Sequence, residues 1–115
     1  MDTTKVIRGL SKDALFVLVT RWGPGRDGGP YFVNGLQTRL TQRAKNAYGE
    51  LSRWRILTAI FGPNERFEAV ANQNTAEIAA SAAAIFWPGC LGDCPFGEPW
   101  PVSERVPSKY DEECG

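Results

Sequence analysis

Apolar residues fall in short dense runs along the chain, and the spacing inside each run predicts its element. The first run, Ala14-Leu-Phe-Val-Leu-Val19, is apolar at every position and carries β-branched Val17 and Val19. It reads as a central strand covered on both faces. It passes through Thr20-Arg21-Trp22 into Gly23-Pro-Gly-Arg-Asp-Gly-Gly-Pro30, whose four glycines and two prolines predict a loop. From Asn34, read as an N-cap, Leu36, Leu40, Ala44, Ala47, Tyr48 and Leu51 recur so as to form one apolar stripe of a helix. Gly49 weakens its last turn without abolishing it.

The second half follows the same logic. Ile56 to Phe61 reads as a strand, Gly62-Pro-Asn-Glu65 as a turn, and Phe67 to Ala71 as the antiparallel partner. Phe67, Ala69 and Ala71 share one face of that partner, and Arg66, Glu68 and Val70 the other. Asn74 with Glu77 three residues on resembles a capping box and opens a helix over Thr75 to Phe86. Its narrow face is Ile78, Ala82 and Ile85, and Pro88-Gly89 stops it. Residues 1 to 12 offer few apolar anchors and are expected to be only partly ordered.

The order β-α-β-β-α is most of a split β-α-β unit, so the predicted class is α+β with an antiparallel sheet and ferredoxin-like topology. Residues 13–88 would form this domain, and 89–115 an extended Pro/Gly/Cys-rich tail. Five of the eight prolines and all three cysteines lie from Pro88 onward. Pro99-Trp-Pro-Val102 fits a short edge strand, where proline is tolerated, and the tail otherwise fits a docking strap on a partner. An uncovered apolar sheet face would aggregate, so a homodimer or larger assembly is expected.

Composition narrows the chemistry. The 115 residues balance 13 basic against 13 acidic side chains, leaving no global field for nucleic acid or anionic lipid. No run approaches the ~18 apolar residues of a membrane span, and the opening Met-Asp-Thr-Thr-Lys lacks the apolar core of a signal peptide. A cytoplasmic location is therefore expected. Histidine is absent, which excludes Ser-His-Asp and Cys-His catalysis within this chain.

Three segments carry a family resemblance: Leu15-Phe-Val-Leu-Val-Thr-Arg-Trp22, Ile56 to Phe61 running into Gly62-Pro63, and Phe67-Glu-Ala-Val-Ala71 leading into Asn74-Thr-Ala-Glu-Ile78. Over roughly residues 14 to 89 the pattern resembles GYD-domain proteins and, more broadly, dimeric α+β barrel families. The Gly-rich loop and the Cys- and Pro-rich tail depart from it. The resemblance implies a ferredoxin-like protomer whose sheet packs on a second copy, with a pocket between sheet and helices. The Phe67 strand and the helix after it also look somewhat like nucleotide-sensing PII-like proteins, whose long inter-strand loop has no counterpart here.

Within that frame the candidate ligand-binding residues are Arg21, Trp22, Trp54, Arg66 and Glu68. Guanidinium and indole groups at strand ends grip carboxylates or stack on rings, although burial alone also explains such aromatics. Glu68 and Tyr48 are the candidate proton carriers of a cofactor-free isomerase or monooxygenase acting on a small aromatic substrate. Cys90, Cys94 and Cys114 would hold zinc or an iron–sulfur cluster only with further ligands. Their C-x3-C spacing lacks paired C-x2-C knuckles, so no cofactor is predicted and free thiols are the simpler reading. Arg39, Arg43, Lys45, Arg53 and Arg55 form the most basic stretch, read as a solvated face. The leading function is binding and sensing of a small ligand. The alternatives are the dimeric-barrel enzyme and an accessory subunit docking through residues 89–115.

Overall fold

A computed structural model describes residues 3–26 and 28–106. In chain order the elements are α1 (Thr3–Gly9), α2 (Lys12–Trp22), β1 (Tyr31–Val33), β2 (Thr38–Leu40), α3 (Gln42–Arg53), β3 (Leu57–Phe61), β4 (Phe67–Ala71) and α4 (Thr75–Phe86). A 3-10 turn (Pro88–Cys90) and β5 (Ser103–Arg105) follow. The class is mixed α+β with antiparallel sheets. One sheet has the order β1-β4-β3, and β2 pairs with β5 in a second. Because β1 and β3 both run antiparallel to β4, they are parallel to each other with α3 as their crossover. That is a split β-α-β unit, with a different first strand from the one the sequence pattern suggested.

The run Ala14 to Val19 is helix, not strand, and this is the largest correction. Ser11 Oγ accepts the Ala14 N–H at 3.2 Å, and Asp13 sits in the first turn. Both are start signals that an apolar run without period conceals. All six residues from Ala14 to Val19 are buried. The reason is that α2 packs against both α3 and α4, so no side of that run meets water. Residues expected to be partly ordered form α1, whose Val6 and Ile7 enter the same core.

The other boundaries shift less. Asn34 does not cap a helix: its Oδ1 accepts the Leu36 N–H at 3.0 Å, closing a turn before β2. Thr41 is the real cap of α3, accepting from Ala44 N–H at 3.3 Å. The buried stripe is Ala44, Ala47, Tyr48 and Leu51, while Leu36 is 73% exposed outside it. The β3–β4 hairpin and α4 form where the pattern placed them, but Asn74 makes no side-chain cap and Ile85 is exposed.

Thr75, the first residue of α4, anchors the helix instead. Its hydroxyl donates to the Ile56 carbonyl and accepts the Asn72 N–H at 2.9 Å, tying α4 to both strands of the hairpin. Thr75 is fully buried, so Thr75→Val removes the partner of the Ile56 carbonyl in a buried setting and the acceptor of the Asn72 N–H. A loss of about 1–3 kcal/mol in urea unfolding is expected. A loss under a few tenths would show that the hydroxyl is dispensable.

Within the described part of the tail, Phe96 and Trp100 pack on the core. Phe96 and Trp100 are buried, and the edge strand is Ser103–Arg105 rather than Pro99–Val102. Thr41 fastens it, donating its N–H to Val102 O at 3.0 Å and its hydroxyl to Pro101 O at 3.2 Å.

Candidate functional site

The sheet has two unlike faces. Val33, Leu57, Phe67 and Ala69 are buried against the helices. On the opposite face Phe32, Glu68 and Ile60 stand abreast across the three strands. Phe32 is 63% exposed and Ile60 49%, so among the described residues nothing covers this side. The candidate ligand residues divide between these faces and do not form one site.

Arg66 and Glu68 lie on the open face, lining a cleft of about 330 Å³ with Phe32, Ile60 and Pro63. The cleft is shaped by a close approach: a Cβ at Gly35 would stand 1.7 Å from the Asn64 carbonyl oxygen, so only glycine lets the end of β1 meet the β3–β4 turn. Arg66 and Glu68 alternate with inward-facing Phe67, as strand geometry requires, and neither has an ion-pair partner among the described residues.

Arg21 and Tyr48 lie on the helix side. There a cavity of about 220 Å³ is bounded by Val17, Thr20 and Arg21 of α2, Tyr31 of β1, Tyr48 of α3 and Val102 of the tail. Val17, Thr20 and Arg21 share a helix face because they are three and four residues apart. The Arg21 guanidinium carbon sits 4.9 Å from the centre of the Tyr31 ring, which is stacked on Tyr48 at 6.0 Å and 9°. Tyr48 continues into Phe67 at 4.9 Å and meets the edge of Trp22 at 6.4 Å. One Arg21 Nη donates a long 3.4 Å bond to Pro30 O, and its buried Nε has no acceptor among the described residues. Burial pushes the Tyr48 phenol well above its ordinary pKa, an effect that Tyr31 adds to and Arg21 opposes, so Tyr48 stays protonated.

Trp22 and Trp54 line neither space. Trp22 is buried beneath the Gly-rich loop, where a Cβ at Gly28 would lie 2.1 Å from its ring. The Gly-rich loop is thus packed against the core at Gly28. Trp54 ends α3, half-exposed, with its ring against Gly9.

The candidate proton carriers Glu68 and Tyr48 stand on opposite sides of the sheet, so no acid–base pair forms between them. Cys90 and Cys94 are half-buried free thiols, and Cys114 lies outside the described residues. Among the described residues no three His, Cys, Asp or Glu side chains converge as a metal-ligand set. The basic stretch is largely neutralised. Arg39 pairs with Glu104 at 2.8 Å, Arg43 with Asp13 at 2.8 Å and Lys45 with Glu65 at 2.9 Å. The bond from Arg43 holds the Asp13 carboxyl below the usual range.

The strand reading of residues 14–19 hid the helix-side cavity. In a strand Thr20 and Arg21 point to opposite faces; in a helix they join Val17 on one. Val102 left no local signal, since it reaches the cavity through the β5–β2 pairing. In comparison with known proteins, no family model, no curated protein and no solved structure matches the chain. Among the described residues no helix is long and apolar enough to cross a membrane.

Proposed function

We propose that the protein binds and senses a small molecule in the pocket between sheet and helices, as a cytoplasmic, ferredoxin-like protomer that pairs with a second copy. The observation that carries this reading is the Arg21 guanidinium, held by Tyr31 beside a cavity, with its Nε buried and unpaired among the described residues. Buried donors are normally satisfied, and an unfilled one beside a cavity is what a ligand completes. The exposed Phe32 and Ile60 support the pairing. So do Arg66 and Glu68: in a two-fold contact the guanidinium of one copy meets the carboxylate of the other.

The enzyme reading is less well supported, because its two candidate proton carriers, Glu68 and Tyr48, line separate spaces on opposite sides of the sheet. The accessory-subunit reading is less well supported, since Phe96 and Trp100 of the segment 89–115 pack on the chain's own core.

Native mass spectrometry of protein purified from its source under non-reducing conditions tests this. A multiple of the 12.7 kDa chain carrying a discrete added mass is expected. Ile60→Lys, which places a charge on the open face, should break the assembly and leave the added mass on each chain. Bare monomers would overturn both halves of the proposal. A second kind of chain in the assembly would favour the accessory subunit.

A further inference from the structure

We infer that this pocket selects a small monocarboxylate with a planar or branched apolar body, gripped at its charged end by Arg21 and Tyr48; the inference rests on the pocket being the ligand site. Charge is the first ground. A guanidinium is ionised at any physiological pH, and among the described residues Arg21 makes no ion pair. Among the described residues no carboxylate borders the cavity.

Geometry is the second ground. The Arg21 guanidinium carbon lies 4.9 Å over the centre of the Tyr31 ring, a contact that occupies no hydrogen-bond acceptor. Among the described residues its Nε has no acceptor, and the Nη bond to Pro30 O is at the long limit of 3.4 Å. A carboxylate matches a guanidinium with two parallel bonds. Tyr48 supplies the second contact. It is 2% exposed, borders the same cavity, and its hydroxyl has no hydrogen-bond partner among the described residues. Kept neutral by burial, it donates a hydrogen bond to an anion and does not repel it.

Size and lining set the rest of the ligand. About 220 Å³ equals the liquid volume of roughly seven waters, room for one ring or a short branched chain. Val17, Val102 and the Tyr31 ring offer that body apolar contact. A phosphate ester is a poor match: it carries close to two charges and three acceptor oxygens against one cation.

The test is a ¹H–¹⁵N NMR titration of the full chain with benzoate and, separately, with benzamide, which has the same ring and no charge. Benzoate should bind at least about tenfold more tightly and shift the Arg21 Nε–H resonance. Arg21→Met, which keeps the aliphatic stem, should erase that preference. Tyr48→Phe should weaken benzoate by about three- to tenfold. Should benzamide bind as well as benzoate, or Arg21→Met leave benzoate affinity unchanged, the carboxylate class is overturned while the pocket survives as a ligand site. If neither probe shifts a pocket resonance at about 10 mM, the pocket reading falls and the inference with it.

Discussion

Trp100→Ala is expected to lower the free energy of unfolding by about 3–5 kcal/mol, the range for deleting a large buried aromatic. The indole is 8% exposed, 5.1 Å from the Phe16 ring of α2 and 4.6 Å below the Arg43 guanidinium of α3. It therefore pins the tail across both helices, and its loss also loosens the Thr41 and β2 contacts on either side. Trp100→Phe should recover much of the loss, because a smaller ring still fills part of the space between Phe16 and Arg43. The same packing makes truncation before Phe96 damaging to the fold itself, whereas a detachable docking strap would come away without cost. Equilibrium urea unfolding followed by circular dichroism decides between these. A loss below about 1 kcal/mol for Trp100→Ala would mean that the tail merely rests on the domain.

Tyr48→Ala should cost a comparable amount, about 3–5 kcal/mol, for a different reason. Tyr48 is where the sheet, α2 and α3 meet: its ring touches Tyr31, Phe67 and Trp22. Tyr48→Phe keeps those contacts and removes only a hydroxyl that has no partner among the described residues, so stability near neutral pH should change by less than about 1 kcal/mol. The pair of variants separates packing from chemistry. An alkaline signature accompanies it. The folded-state pKa of Tyr48 is raised mainly by burial, so the native state holds a proton that the unfolded chain releases near pH 10. Stability from this residue is thus complete below that pH and is lost as pH rises beyond it. The alkaline decline should be shallower in Tyr48→Phe than in the native protein. Identical declines would show that Tyr48 ionises as freely in the fold as in solution.

How much could be read from the residues depended on whether local pattern and tertiary environment agreed. They agree in the β3–β4 hairpin and α4, where turn residues bracket the strands and small residues follow a helical period. They agree in most of α3, because Ala44, Ala47, Tyr48 and Leu51 face the core. They part at Ala14–Val19. A helix packed against two others is apolar on every side, which erases the period that would identify it. They part again at Thr38–Leu40, which the helical spacing claims and β5 recruits as a strand from more than 60 residues away in the sequence.

The candidate site was legible in part for the same reason. Arg21 and Tyr48 were identifiable as residues with chemistry to offer, and Arg66 and Glu68 as one face of a strand. Their division between the two sides of a sheet was not, since side-chain direction depends on which element carries the residue. The sequence by itself determined the α+β class, the hairpin, the charge balance and the exclusion of histidine chemistry, all of which are local or additive properties. Only the tertiary structure decided that Ala14–Val19 is a helix, that Phe96 and Trp100 belong to the core, and that Arg21 sits over Tyr31 at a cavity shared with Tyr48. Each of those depends on contacts between segments far apart in the chain, and burial on every side overrides local pattern there.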